Sequence, residues 1–265
     1  MDLSRVLERW AKASPDKVAL HWEGVDLTYA EVWQRIEATT AALDVRKGDR
    51  VAYLGYNDPQ QLFLLFALAR HGALLVPLNW RLTAAEHRDI LADCSPRWLF
   101  FGAEFEAQAK ALGVPLGRLD GPPAVPTAAP SGTEEDDLLI VYTSGTTGRP
   151  KGAVLTQAAL VWNALNSFHA HDLTAADHVL TALPMFHVGG LNIQTLPALF
   201  AGATVTLHRR FDPSEWLAAV AGRKPTLSLL VAAAMRAVIE HPALAATELS
   251  SLRMLHTGSM VVPET

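Results

Sequence analysis

Apolar positions along the chain switch between a period near 3.6 and a period near 2, and the switching predicts alternating helices and strands. Leu3, Val6, Leu7, Trp10 and Ala11 recur at helical spacing, so 3–13 reads as a helix that Pro15 ends. Residues 18–22 read as a strand with a turn at Glu23-Gly24. Thr28 and Glu31 have capping-box spacing for a helix to about residue 43. Strands over 51–54 and 73–78 flank a helix over 59–70, and Thr83 with Glu86 repeats the capping box. Residues 97–101 are strand-like and 104–112 helix-like.

Beyond residue 137 the alternation resumes. Strands are predicted over 138–142 and 153–155, and Thr156 caps a helix to about 168. A strand over 179–182, a helix over 191–200 and a strand over 203–207 follow. Asp212-Pro213-Ser214-Glu215 is a helix start, with an N-cap, an N1 proline and an acid at N3. Residues 227–231 read as strand, 232–240 as helix and 252–256 as strand, with no internal repeat. The class implied is α/β: mainly parallel sheets with helices on both faces.

Between 113 and 137 the texture changes. Pro115, Pro122, Pro123, Pro126 and Pro130 break regular structure, and the acid run Glu134–Asp137 reads as solvated loop. The chain is therefore expected to divide into a first β/α portion over 1–112, a proline-rich linker over 113–137, and a second, incomplete portion over 138–265.

Composition narrows the class. Of 265 residues, 50% are hydrophobic and 18% charged, enough apolar material for a large core. The net charge of −5 and the lack of a basic block disfavour nucleic acid and anionic membranes as partners. Cys94 is the single cysteine, so no internal disulfide is possible and a reducing, cytoplasmic setting is expected. Cys94 itself reads as a small buried apolar residue. The scattered tryptophans, among them Trp162 and Trp216, read as core or half-buried packing. The first residues show no basic stretch followed by an apolar core, so no secretory signal is expected, and Arg70-His71-Gly72 interrupts the most apolar stretch, so no transmembrane segment is expected.

The densest candidate chemistry is Thr143-Ser144-Gly145-Thr146-Thr147-Gly148-Arg149-Pro150-Lys151-Gly152, set between two strand-like runs. Glycines allow positive φ and close backbone approach, and successive N–H groups in such a turn can form an anion nest. Four hydroxyls and Lys151 add donors. The lysine spacing departs from the G-x-x-x-x-G-K-[ST] loop, and G-x-G-x-x-G is absent. On residue types alone the stretch is either a polyphosphate cradle or a flexible hairpin turn. Pro184-Met185-Phe186-His187-Val188-Gly189-Gly190 is a strand-end loop whose histidine is either a site residue or a packed core histidine. Gly258-Ser259 is either a ligand-facing or an ordinary strand-end turn. Arg209-Arg210 reads as a solvated pair.

The string from Tyr142 to Gly152 closely resembles the signature of the adenylate-forming superfamily, which contains acyl-CoA synthetases, adenylation domains of peptide synthetases and firefly luciferase. The stretches Pro184–Leu191 and Arg253–Met260 resemble its second and third signatures, in family order, and Asn79–Thr83 resembles a further, structural segment. The resemblance implies ATP as substrate, Mg²⁺ with it, and CoA as co-substrate for activating a carboxylic acid, fatty or aryl. It implies that Thr143, Ser144, Gly145, Thr146, Thr147, Gly148 and Lys151 hold the nucleotide's phosphates. It places Gly258 and Ser259 against the adenylate, and His187, Gly189 and Gly190 on the acid side. Lys151 and His187 carry the expected catalytic roles, and no metal ligand is indicated. An amino-acid-activating domain is the rival enzyme reading, disfavoured because no acid lies between Pro184 and Phe211. Family members continue through a Tyr-Gly-x-Thr-Glu segment, a ribose-holding aspartate, a hinge and a small C-terminal domain with a catalytic lysine. The chain is thus expected to be an N-terminal portion, inactive alone or at most a nucleotide-binding fragment.

Overall fold

The computed structural model describes residues 2–117, 131–143 and 150–258. In chain order the helices and strands begin with α1 (Arg5–Ala13), the hairpin β1 (Val18–Trp22) and β2 (Val25–Thr28), and α2 (Tyr29–Ala42). Next come β3 (Arg50–Leu54), α3 (Pro59–His71), β4 (Leu74–Leu78), α4 (Ala84–Cys94), β5 (Trp98–Phe101) and α5 (Glu106–Lys110). The second half runs β6 (Asp137–Thr143), β7 (Lys151–Thr156), α6 (Gln157–His171), β8 (His178–Thr181), α7 (Val188–Gly190), a π-turn (Leu191–Thr195) and α8 (Leu196–Ala201). It ends with β9 (Thr204–Leu207), α9 (Pro213–Arg223), β10 (Leu227–Val231), α10 (Ala232–Ile239) and β11 (Met254–Gly258).

Two compact units emerge, one from residues 1–16 with 29–162 and one from 17–28 with 163–265. The sheet of the first has the order β5-β3-β4-β6-β7. All its pairings are parallel except β6 with β7. Helix α3 shows why local signals suffice here. Asp58 accepts the Gln60 N–H at 2.7 Å, Pro59 fills N1, and Gly72 ends the helix at φ 66°. Its residues Gln61–Ala69 are buried on every side, as a helix apolar all round must be. The expected capping box of α4 is present: Thr83 Oγ1 accepts the Glu86 N–H and the Glu86 carboxylate accepts the Thr83 N–H.

The second unit carries a six-stranded sheet, β11-β10-β8-β9-β1-β2, parallel except for the hairpin. Its core centres on Trp216, Leu180, Val220 and Leu230. The Trp216 indole N–H donates to Ser228 Oγ at 3.1 Å, and that hydroxyl donates to Leu180 O at 2.9 Å, so the buried polar atoms are paired.

Several expectations change. The stretch after Glu23-Gly24 is a strand, because both residues take positive φ (44° and 82°) and fold the chain back as a tight hairpin. The helix expected over 191–200 is instead a π-turn (Leu191–Thr195) followed by α8, with α7 just before them. The helix expected over 104–112 splits into a 3-10 turn, Ala103–Phe105, and α5. Trp162 is 66% exposed rather than packed. Of the linker expected over 113–137, residues 118–130 lie outside the described residues, and the units part at 162/163. Its flanks fold with the first: the Gly117 N–H donates to Leu99 O, the Gly132 N–H to Arg70 O, and β6 pairs with β4. Within the acid run, Asp136 is ion-paired to Lys47 at 2.7 Å instead of being wholly solvated. Cys94 is buried, and burial pushes its thiol up to about 11. Among the described residues no helix is long and apolar enough to cross a membrane.

Candidate functional site

The first candidate segment joins β6 to β7 in the first unit. Those strands are antiparallel with Tyr142 opposite Gly152 and Thr143 opposite Lys151. Thr143 and Lys151 are therefore brought together at the mouth of the connection, both exposed. Ser144, Gly145, Thr146, Thr147 and Gly148 lie outside the described residues. Their frame does not: a seven-residue connection from 144 to 150 closes on one cross-strand pair. The strands below the mouth are locked by size. A Cβ on Gly152 would sit 2.7 Å from Ile140 Cγ2 and 3.1 Å from the Tyr142 ring, so only glycine lets the ring lie across the partner strand. The Tyr142 hydroxyl donates to Asp93 Oδ2 on α4. Burial, and then that bond, push the phenol up from its ordinary value.

The second candidate segment lies in the second unit, after β8. His187 is the N-cap of α7, and its Nδ1 accepts the Gly189 N–H at 3.0 Å. That bond places the neutral ring's proton on Nε2, leaving the exposed edge a donor. Gly190 is packed under backbone: a Cβ there would meet Pro184 O at 2.3 Å and Leu183 O at 2.5 Å. Gly189 is looser, its nearest neighbour being His187 Nδ1 at 3.2 Å. His187, Gly189 and Gly190 thus share one turn, as the sequence expects.

That turn runs into the π-turn, a wide helical form often found at functional sites. Thr195 Oγ1 donates to Gly190 O at 2.6 Å and lies 2.7 Å from Thr181 Oγ1. Gln194 is 3% exposed, and its Nε2 has no hydrogen-bond partner among the described residues. An unpaired buried donor costs about 1–3 kcal/mol. Sequence reasoning passed over Gln194 and Thr195; the available signal was the pair of amides, Asn192 and Gln194, inside the largely apolar run Leu191–Phe200.

Gly258 ends β11 opposite Val231. A Cβ there would meet no atom of the described residues within 4 Å. Ser259 lies outside the described residues. Arg209 pairs with Glu23 at 3.2 Å, consistent with its reading as a surface residue. Among the described residues no group of three or more His, Cys, Asp or Glu could hold a metal ion.

Comparison with known proteins adds the family. Residues 7–265 match the AMP-binding enzyme family. The indoleacetate–CoA ligase of Aromatoleum aromaticum is 47% identical over 100% of this chain and 56% of its own length. A feruloyl-CoA synthase of Amycolatopsis is 41% identical, over 96% of this chain and 54% of its own. The structure of o-succinylbenzoate CoA synthetase from Bacillus subtilis, in complex with its acyl-adenylate intermediate, superposes with a TM-score of 0.87 at 27% identity. It covers 97% of this chain and 68% of that one. The chain spans about half the length of the curated relatives it matches. With a family match over residues 7–265 and a relative 47% identical along the whole chain, the chain belongs to the AMP-binding enzyme family.

Proposed function

We propose that the protein activates a carboxylic acid with ATP and transfers the acyl group to CoA. In the first step a carboxylate oxygen attacks the α-phosphorus of ATP, the bond to the β-phosphate oxygen breaks, and acyl-AMP and pyrophosphate result. In the second a thiol attacks the acyl carbon, AMP leaves, and a thioester forms. The observation that carries the reading is the Thr143–Lys151 cross-strand pair closing a connection rich in glycine and hydroxyls.

In this reading Ser144, Gly145, Thr146, Thr147 and Gly148 surround the β- and γ-phosphates, and Lys151 places its ammonium beside them. The gain is charge stabilisation as pyrophosphate departs, and positioning of the α-phosphate for in-line attack. His187, fixed by the Gly189 N–H, presents Nε2–H toward the acid and orients it rather than taking a proton. Gly189 and Gly190 keep the turn thin enough for an acyl group to approach, and Gly258 with Ser259 lies against the adenylate. Mg²⁺ enters with ATP. It would neutralise charge on the phosphates, and among the described residues no group of three or more His, Cys, Asp or Glu could hold it.

An aryl acid is the substrate class we favour over a fatty acid, supported by relatives named for indoleacetate and ferulate. A cytoplasmic setting is supported by the single, buried Cys94.

Carboxylate-dependent ATP–pyrophosphate exchange by the intact gene product is the test. Lys151→Ala and Thr147→Ala should each lower exchange by about tenfold or more, the order expected when one donor to a developing charge is lost. Unchanged kinetics for both would reject the cradle.

A further inference from the structure

Gln194 sits in the π-turn with an Nε2 donor that no described residue accepts from, in a protein whose neighbouring hydroxyls are all engaged. Retained orphans of this kind call for an explanation. The side chain lines a cavity of about 10 Å³ together with Thr181, Leu183, Gly189, Gly190 and Leu229. That volume admits one water-sized atom. The cavity is walled by the same two glycines that place the His187 turn, and apart from Gln194 and the threonines its side chains are apolar. A single acceptor atom inserted there would meet the Gln194 donor beside two threonine hydroxyls that are already engaged with each other and with Gly190 O.

We propose that Gln194 is a specificity-determining residue: it donates from Nε2 to an oxygen or nitrogen acceptor carried on the acid substrate, and so selects heteroatom-bearing aryl acids over all-carbon ones. The inference rests on the reading of the His187–Gly190 turn as the acid side of the site. Its physical basis is asymmetric. A site built around a buried donor rejects an analogue lacking the acceptor, because the donor then stays unpaired.

The experiment uses two acids of nearly equal shape, a hydroxy-substituted aryl acid, whose terminal oxygen is a single acceptor atom, and its methyl-substituted analogue, in ATP–pyrophosphate exchange by the intact gene product. The wild type should prefer the hydroxy acid in kcat/KM by about tenfold or more, and Gln194→Met, which keeps length and removes the donor, should bring that ratio close to one. The thermal midpoint of Gln194→Met should hold or rise, since an unpaired donor is removed. Equal use of both acids by the wild type, or an unchanged ratio in the variant, overturns the assignment; the cavity would then hold only water. No exchange with any acid would overturn the proposed function and this inference together, whereas exchange without discrimination overturns Gln194 alone.

Discussion

Arg253 grips Asp177 with two guanidinium nitrogens, Nε to Oδ1 at 2.9 Å and Nη2 to Oδ2 at 3.0 Å. The carboxylate is 7% exposed and also accepts from Thr226 Oγ1 and the Thr174 N–H. Burial by itself would raise its pKa. The hydrogen bonds from Arg253, Thr226 and Thr174 together outweigh that and bring it down to about 2. Arg253→Ala should therefore destabilise the second unit by roughly 2–4 kcal/mol in denaturant unfolding, since it strands a buried charge. The folded pKa lies below the unfolded value of about 3.9. The contribution is thus complete above about pH 4 and disappears as pH falls toward 2, and Asp177→Asn should remove that part of the acid slope.

Histidines set a second, higher window. His178 is pulled down to about 4, by burial first and then by the charge on His21, with its Nε2 2.7 Å from Thr206 Oγ1. Burial is also the main cause that lowers His171, His208 and His256. An unfolded histidine titrates near 6.5, so between that value and about 4 the unfolded chain binds more protons. The thermal midpoint should fall steadily as pH drops through this range and stay level above it. His178→Gln should flatten the slope; an unaltered slope would count against a neutral, buried His178.

Gln157 ties three distant pieces of the first unit. It is 0% exposed, its Oε1 accepts the Leu3 N–H at 2.7 Å, and its Nε2 donates to Ala69 O at 2.9 Å. Gln157→Leu leaves the Leu3 N–H unpaired, while the Ala69 carbonyl keeps the Gly72 N–H, so a loss of about 1–3 kcal/mol is expected in chemical denaturation. Hydrogen exchange should report the loss at the Leu3 amide.

The two glycines of the His187 turn should respond unequally. Gly190→Ala drives a Cβ against carbonyl oxygens at 2.3 and 2.5 Å, atoms of the backbone that cannot swing aside. Gly189→Ala meets only a ring nitrogen at 3.2 Å. We expect a fall in thermal midpoint for Gly190→Ala several times that for Gly189→Ala, and a loss of exchange activity to match. Equal effects would mean the turn is not packed as described.

Local chemistry made much of this legible in advance. The Asp58-Pro59 start and Gly72 stop of α3, the capping box of α4 and the Asp212 cap of α9 are settled by neighbouring residues, so their helices follow from the sequence. The glycine- and hydroxyl-rich run before Lys151 likewise announces its strand-to-strand setting. By itself, then, the sequence determined the α/β class, most element positions and the candidate segments. Only the tertiary structure decided that β6 and β7 join the first unit, that residues on either side of 118–130 hydrogen-bond to it, and that a helix expected over 191–200 opens with a π-turn. It alone singled out Gln194 and the grip of Arg253 on Asp177. Strand partnership, burial and the pairing of polar atoms depend on contacts between residues far apart in the chain, and no local pattern encodes them.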